Sequence, residues 1–193
     1  ARVMIADIDA PAVEAMADVL GVACVVADVS DDDGVAHMAL AAEAALGPLD
    51  ILVNNAGVTH LPAALEDVTE EDFDRVLRVN SKSVYLTARH LVPGMKARRA
   101  GVILNIASTA ALSPRPRLSW YNASKGWMVT ATKSMAVELA PLGIRVVAIN
   151  PVAGETPLLK TFMGEDTPEI RAKFLATIPL GRFSTPEDMG NAA

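Results

Sequence analysis

The sequence predicts an α/β protein: a doubly wound parallel sheet with helices on both faces, in three layers. Apolar runs alternate with helix-like stretches along all 193 residues. The apolar runs are nearly continuous, which is typical of strands that are buried on both faces. Strand–helix–strand repetition with right-handed crossovers produces such a sheet. No linker, repeat or low-complexity tract interrupts the pattern, so residues 1–193 are predicted to form a single domain.

The elements follow one another in a regular order. Strands are predicted at 3–6, 22–27, 49–53, 102–106 and 144–149, and helices at about 11–20, 31–46, 69–98 and 120–141. Ser30 followed by three aspartates favours a helix start, and Gly47 and Gly143 favour helix ends. The 156–188 region is richer in proline, threonine and charge. It is predicted to be a helical excursion over an active site.

Composition argues against several classes of protein. Hydrophobic residues make up 51% of the chain and aromatic residues 4%, which suits a packed α/β domain and not a disordered one. The net charge of −6 and the lack of a basic stripe give no reason to expect nucleic acid. No apolar run approaches the ~20 residues of a membrane span, and no side chains have metal-ligand spacing. A single cysteine and no leader-like start favour a cytoplasmic location.

The most informative motif combines a tyrosine, a lysine and a serine. Tyr121 and Lys125 are four residues apart, and Ser108 precedes the tyrosine by 13 positions. On a helix, residues four apart project from one face. An ammonium group beside a phenol turns a weak acid into a usable proton donor.

Two further motifs occur in the same chain, Asn54-Asn55-Ala56-Gly57 upstream and Pro151 to Thr156 downstream. Together with the Ser–Tyr–Lys set, they resemble the short-chain dehydrogenase/reductase family, whose members are NAD(P)-dependent oxidoreductases with a Rossmann-like fold. The resemblance runs from the second strand of that fold to a helix before its last strand. It implies hydride transfer between a nicotinamide cofactor and a secondary alcohol or ketone.

The resemblance also implies that the chain is incomplete at both ends. The glycine-rich phosphate segment of the family would fall before residue 1, and the final strand would follow residue 193. Because the missing first strand belongs at the centre of the sheet, unpaired backbone and uncovered core side chains are expected. Relatives pair through two long helices, here at about 71–98 and 121–140, which implies a homodimer or homotetramer.

Four catalytic residues are implied. Tyr121 is the general acid/base, and Lys125, with the positive nicotinamide ring, is expected to lower the phenol pKa from its usual ~10. Lys125 also bonds the nicotinamide ribose. Ser108 holds the substrate oxygen, and Asn80 anchors a water on a proton path to the lysine. Taken singly, Ser108 would be a strand-end cap and Asn80 a surface residue or kink.

The adenosine side of the cofactor is expected to lie beyond the ends of the first three strands, where open α/β sheets bind ligands. An acidic residue at the position of Asp7 accepts hydrogen bonds from ribose hydroxyls and repels the extra phosphate of NADP, so NAD is predicted. The alternative is that Asp7 is a turn residue. Asp28 and Val29 resemble the family pair that packs against adenine. Asn55, Ala56 and Gly57 are expected to approach the adenosine ribose.

The nicotinamide side is expected to lie against the loop after the last strand. Pro151 and Val152 would form the wall behind the ring, and Thr156 would bond the carboxamide. Val152 stands where the family usually has glycine, so the backbone here is more restricted than usual.

Substrate identity is not visible in the sequence. A sugar or polyol, a 3-oxoacyl group and a steroid all remain open. Arg115 or Arg117 could contact an anionic substrate, although two arginines flanking prolines on a solvent loop is the simpler interpretation. The alternative function is a non-catalytic binding or interaction module on the same fold.

Overall fold

Strands and helices alternate along the first three quarters of the molecule. The computed structural model describes residues 1–193. Its strands are β1 (Met4–Asp7), β2 (Ala23–Val26), β3 (Ile51–Asn54), β4 (Gly101–Ile106) and β5 (Ile144–Ile149). Its helices are α1 (Ala10–Leu20), α2 (Asp32–Leu46), α3 (Glu70–Leu77), α4 (Ser83–Arg98), α5 (Ser119–Leu139), α6 (Pro157–Met163), α7 (Pro168–Leu175) and α8 (Pro186–Ala192).

Helix boundaries follow local chemistry. Asp9 caps α1 by accepting a hydrogen bond from the Ala12 amide at 3.0 Å. Asp31 caps α2 in the same way, and two further aspartates occupy its first turn, where carboxylates favour the positive end of the dipole. Gly47 ends α2 and Gly143 ends the turn after α5, both with positive φ. The predicted start and both predicted ends are therefore confirmed.

The strands are all parallel, but they form two sheets. β1 pairs with β2, and β3, β4 and β5 pair in that order. Both β1 and β3 keep one unpaired edge, and Ile51 and Val53 of β3 are 58% and 51% exposed. The α/β class with parallel strands is confirmed. The unpaired strand edges and uncovered apolar side chains expected for a sheet without its central strand are also found.

The main core lies between two helices and the three-stranded sheet. Side chains from α4, α5, β4 and β5 form it: Val92, Met95, Ile103, Leu139, Ile144 and Val146. A second cluster joins β2 to α2 and α4. A third cluster, of Val84, Ala107 and Met128, packs the first half of α5 beside the carboxyl end of β4, where the candidate site lies. No helix is long and apolar enough to cross a membrane.

The predicted long helix over 69–98 is interrupted. Residues Arg78–Lys82 form a π turn between α3 and α4, in which the Ser83 amide donates to the Arg78 carbonyl. Such turns are uncommon and frequently mark functional positions. Asn80 lies within it.

Residues 157–185 form a helical lid. Leu159, Met163, Ile178 and Phe183 make a small apolar cluster inside it. Its C-terminal end returns to the loop after β5, where the Ser184 amide donates to the Ala153 carbonyl at 3.1 Å. The predicted excursion is thus a packed unit that begins and ends at the loop after β5.

Candidate active site

Tyr121 and Lys125 lie on the first two turns of α5, and both are buried. The Lys125 ammonium donates a hydrogen bond to the Ile106 carbonyl at the end of β4, with a distance of 2.8 Å. Burial lowers the pKa of this lysine from 10.5 to about 8. The ammonium is thus fixed at the carboxyl end of the sheet, at the cost of part of its solvation.

Gly57 leaves room for the lysine. A Cβ at this position would come within 3.3 Å of the Lys125 Nζ and 3.5 Å of the Asn80 Oδ1. The backbone after β3 can therefore approach the ammonium closely only because residue 57 has no side chain.

Burial raises the pKa of the Tyr121 phenol, and the nearby Ser108 side chain acts in the opposite direction. The sequence predicts that Lys125 and the positive nicotinamide ring of a bound cofactor together lower this pKa. In the structure without a cofactor, desolvation is the larger effect. The Phe162 ring of α6 packs edge-on against the Tyr121 ring at 5.0 Å between centroids, which contributes to that desolvation.

Ser108 lies two residues beyond β4 and does two things at once. Its hydroxyl oxygen accepts a hydrogen bond from the Ala110 amide at 3.1 Å, so it caps the short turn Thr109–Ala111. A hydroxyl that accepts one bond still has its own proton and a second lone pair. The capping alternative and the position beside Tyr121 are therefore both found.

Asn80 is fully buried and its side chain makes three hydrogen bonds. The Oδ1 atom accepts from the Val58 amide at 2.8 Å, and Nδ2 donates to the Val58 carbonyl and to the Ser124 hydroxyl, both at 2.9 Å. The alternative of a surface residue is excluded, since none of its surface is exposed. Both amide hydrogens are used, and only one acceptor position on Oδ1 remains for a water.

A second polar network joins the strands behind the site. Asn54 of β3 donates to Asn105 of β4 at 2.8 Å, and Asn105 donates to Thr132 of α5 at the same distance. The Thr87 hydroxyl of α4 donates to the side-chain Oδ1 of Asn54 at 2.9 Å. Asn54 therefore joins β3 to β4 and to α4.

The residues predicted for the adenosine side lie at the ends of β1, β2 and β3. Asp7 is exposed, and one carboxylate oxygen accepts from the Asp9 amide at 3.0 Å, which leaves the other oxygen free. Asp28 accepts from the Ser30 amide at 2.8 Å, and Val29 packs against the cluster between β2 and α2. Asn55 and Ala56 after β3 are exposed as well.

The loop after β5 is fastened to the turn that follows β4. The Pro151 carbonyl accepts from the Thr109 amide at 3.0 Å, and Val152 packs against the lid cluster. Thr156 precedes α6, but its hydroxyl does not cap that helix. This hydroxyl is exposed and free for another partner.

Sequence reasoning missed several buried polar residues that hold the site. Ser124 accepts from Asn80 and donates to the Tyr121 carbonyl at 2.7 Å. Its place one residue before Lys125 was a usable signal. Asn105 and Thr132 offered none, because their partners lie 51 and 27 positions away.

Two further side chains are held by backbone carbonyls. His60 is buried, and its Nδ1 bonds the Leu61 carbonyl at 2.8 Å, so it is not an open substrate contact. Trp120 donates to the Leu65 carbonyl at 3.1 Å and packs edge-on against Phe73 of α3.

These features fit a dinucleotide cofactor. Polar groups with free capacity stand at the ends of neighbouring strands, and Gly57 keeps a Cβ-sized space open beside an ammonium and an amide oxygen. A parallel α/β fold with a tyrosine, serine and lysine meeting at the carboxyl end of β4 defines a nicotinamide-dependent oxidoreductase.

Comparisons with known proteins agree. The family model described as enoyl-(acyl carrier protein) reductase matches residues 1–193. A 4-formylbenzenesulfonate dehydrogenase of Comamonas testosteroni is 48% identical over 90% of this chain and 68% of its own length. A 2-(S)-hydroxypropyl-CoM dehydrogenase of Xanthobacter autotrophicus, named as inactive, is 38% identical over 100% of this chain and 85% of its own. The crystal structure of a 3-ketoacyl-(acyl-carrier-protein) reductase from Brucella melitensis with NADH has a TM-score of 0.93 and 48% identity, over 99% of this chain and 78% of that one.

The chain belongs to the short-chain dehydrogenase/reductase family. It is an NAD(P)-dependent oxidoreductase that acts on a small molecule, and the alternative of a non-catalytic binding module is not favoured.

Proposed function

We propose that this chain oxidises a secondary alcohol, or reduces the matching ketone, with Tyr121 as the general acid/base and NAD as the preferred cofactor. The observation that carries the proposal is the proximity of three side chains at the carboxyl end of β4: a buried Tyr121, Ser108, which acts on the pKa of its phenol, and Lys125 one turn further along α5.

The roles follow from this arrangement. In reduction the Tyr121 phenol gives a proton to the carbonyl oxygen, and in oxidation it takes the proton back. The Ser108 hydroxyl holds the same oxygen within reach. A bound nicotinamide supplies or accepts the hydride. Lys125 and the free acceptor position on Asn80 hold the ribose and a water on the proton path.

The cofactor contacts proposed for the rest of the site follow the placement of free polar groups. Asp7 offers one free carboxylate oxygen to the adenosine ribose, and this negative charge favours NAD over NADP. The Thr156 hydroxyl is free for the carboxamide, and Pro151 and Val152 stand behind the ring. Asp28 and Val29 border the adenine, while Asn55 and Ala56 present exposed backbone near the ribose.

Tyr121→Phe tests the function directly. We expect loss of alcohol-dependent NAD reduction with little change in folding, because the variant removes only the phenolic oxygen. The other tyrosine provides the matched control: Tyr85 is 52% exposed on α4, so Tyr85→Phe should keep wild-type turnover. Retention of activity in Tyr121→Phe would refute the assigned role.

A homodimer or homotetramer and a cytoplasmic location belong to the same proposal. Tyr85 on α4 and Trp127 and Val137 on α5 leave large apolar surfaces exposed, which supports association through these two helices. A lone cysteine suits a reducing compartment. Trp127→Glu should lower the molar mass measured by light scattering; an unchanged mass would place the interface elsewhere.

A further inference from the structure

We propose that Arg115 recognises an anionic group, a carboxylate or a sulfonate, on the substrate. This inference rests on the proposed function and gives its substrate a chemical class. It depends on three observations about Arg115: its position between the active site and the lid, the lack of a counter-charge, and its unused hydrogen-bond donors.

Arg115 is attached to the active site through its backbone. Its carbonyl accepts a hydrogen bond at 2.8 Å from Asn122, the residue that directly follows Tyr121. The side chain reaches the lid, where the guanidinium carbon lies 4.4 Å from the centroid of the Phe174 ring of α7. The lid thus contacts Tyr121 through Phe162 of α6 and Arg115 through α7.

Arg115 differs from the other partly buried arginines in having no anionic partner. Arg75 pairs with Asp72 at 2.7 Å, and Arg171 pairs with both Asp166 and Glu155. Arg115 takes part in no ion pair of the molecule. Burial lowers its pKa, and no carboxylate acts in the opposite direction. A partly desolvated charge without a counter-charge is unfavourable, and an incoming anion would remove that cost.

The guanidinium also has donors to spare. It carries five N–H groups, and the only acceptor that it reaches is the Thr177 hydroxyl at 3.4 Å. Stacking on Phe174 fixes the plane of the group while its edge stays open. A planar fork held in this way suits bidentate binding of a carboxylate or sulfonate.

The experiment compares a charged substrate with its neutral methyl ester. 4-(1-Hydroxyethyl)benzoate and its methyl ester are both secondary alcohols, and only the first is an anion. With Arg115→Gln we expect kcat/KM for the benzoate to fall at least tenfold, through KM, with the ester changed less than twofold. Arg117→Gln is the control, because Arg117 is exposed and its side chain makes one hydrogen bond, to the Pro62 carbonyl at 3.5 Å. This variant should leave kcat/KM for both substrates unchanged.

Arg115→Lys is a second variant, which keeps the positive charge but lacks the planar guanidinium. Its kcat/KM for the benzoate should fall less than that of Arg115→Gln. An equal fall in kcat/KM for both substrates would show that Arg115 only holds the lid in place, and would overturn the proposal. So would an unchanged benzoate rate in Arg115→Gln.

Binding without turnover separates this proposal from the proposed function. Calorimetric titration with the ketone 4-acetylbenzoate should give a Kd at least tenfold weaker for Arg115→Gln than for the wild-type chain. If the wild-type chain turns over neither alcohol but binds 4-acetylbenzoate through Arg115, the oxidoreductase roles fail and the anion site stands. No binding by the wild-type chain, or equal binding by Arg115→Gln, overturns the anion site.

Discussion

The Asn80 amide donates to the Ser124 hydroxyl at 2.9 Å and thereby joins the π turn to the helix that carries Tyr121 and Lys125. The Ser124 hydroxyl in turn donates a hydrogen bond to the Tyr121 carbonyl. The other two bonds of Asn80 hold both polar backbone groups of Val58, just beyond Gly57. One buried amide therefore sets the distance between the backbone after β3 and the start of α5.

Asn80→Ala should be more destabilising than Ser124→Ala. The first change leaves the amide and carbonyl of the partly buried Val58 without partners, which costs roughly 2–6 kcal/mol at ~1–3 kcal/mol for each buried unpaired group. The second leaves one buried group unpaired, an amide hydrogen of Asn80, while the Tyr121 carbonyl stays within its helix. Urea unfolding of both variants checks the order. Equal losses would show that the clamp on Val58 contributes little.

The positions of the strands could be predicted because parallel strands buried on both faces require continuous apolar runs. The helix ends could be predicted because Gly47 and Gly143 adopt positive φ, which other residues rarely do. In both cases the cause lies within a few residues of the effect.

Features that depend on distant partners could not be predicted in the same way. The π turn at Arg78–Lys82 keeps the apolar spacing of a continuous helix, so only the unusual Asn80 marked it. The Asn105–Thr132 bond and the burial of His60 arise from packing between separated segments. The raised pKa of Tyr121 in the structure without cofactor has a related cause, because the sequence shows the lysine but not the extent of desolvation.

Gly57→Ala should impair cofactor binding without large loss of stability. Its backbone does not need a positive φ, so the effect comes from a Cβ placed 3.3 Å from the Lys125 Nζ. We expect the Kd for NADH, measured by fluorescence, to rise about tenfold, or roughly 1.4 kcal/mol.

Gly126→Ala is the control for that change. Gly126 lies in α5 beside Lys125, yet a Cβ there meets nothing within 4 Å. Replacing glycine by alanine in a helix interior should stabilise the chain by about 0.5–1 kcal/mol and leave the Kd for NADH unchanged. The same Kd in both variants would mean that the space beside Gly57 is not used.

Asp7→Ala should shift cofactor use toward NADP. Loss of the carboxylate removes an acceptor for ribose hydroxyls and the repulsion of a 2′-phosphate, so the ratio of kcat/KM for NADP to that for NAD should rise at least tenfold. Asp9→Ala is matched to it, since Asp9 caps α1 two residues later. That variant should lose about 1 kcal/mol of stability with the cofactor ratio unaltered. An unchanged ratio in Asp7→Ala would leave Asp7 as a turn residue only.

Lys125→Met should stabilise the chain at neutral pH while it abolishes turnover. The folded pKa of Lys125 is about 8 and its ordinary value is 10.5, so below pH 8 the folded protein carries a buried charge that the unfolded chain holds in water. This difference costs about 3 kcal/mol. Between pH 8 and 10.5 the unfolded chain binds more protons, so the wild-type stability rises toward that of the variant, and above 10.5 the penalty is gone. Denaturant unfolding at pH 7.5 and pH 10 measures the difference in free energy of unfolding between the variant and the wild type, which should become smaller as pH rises. A difference that stays constant or grows would show that Lys125 is not desolvated in solution.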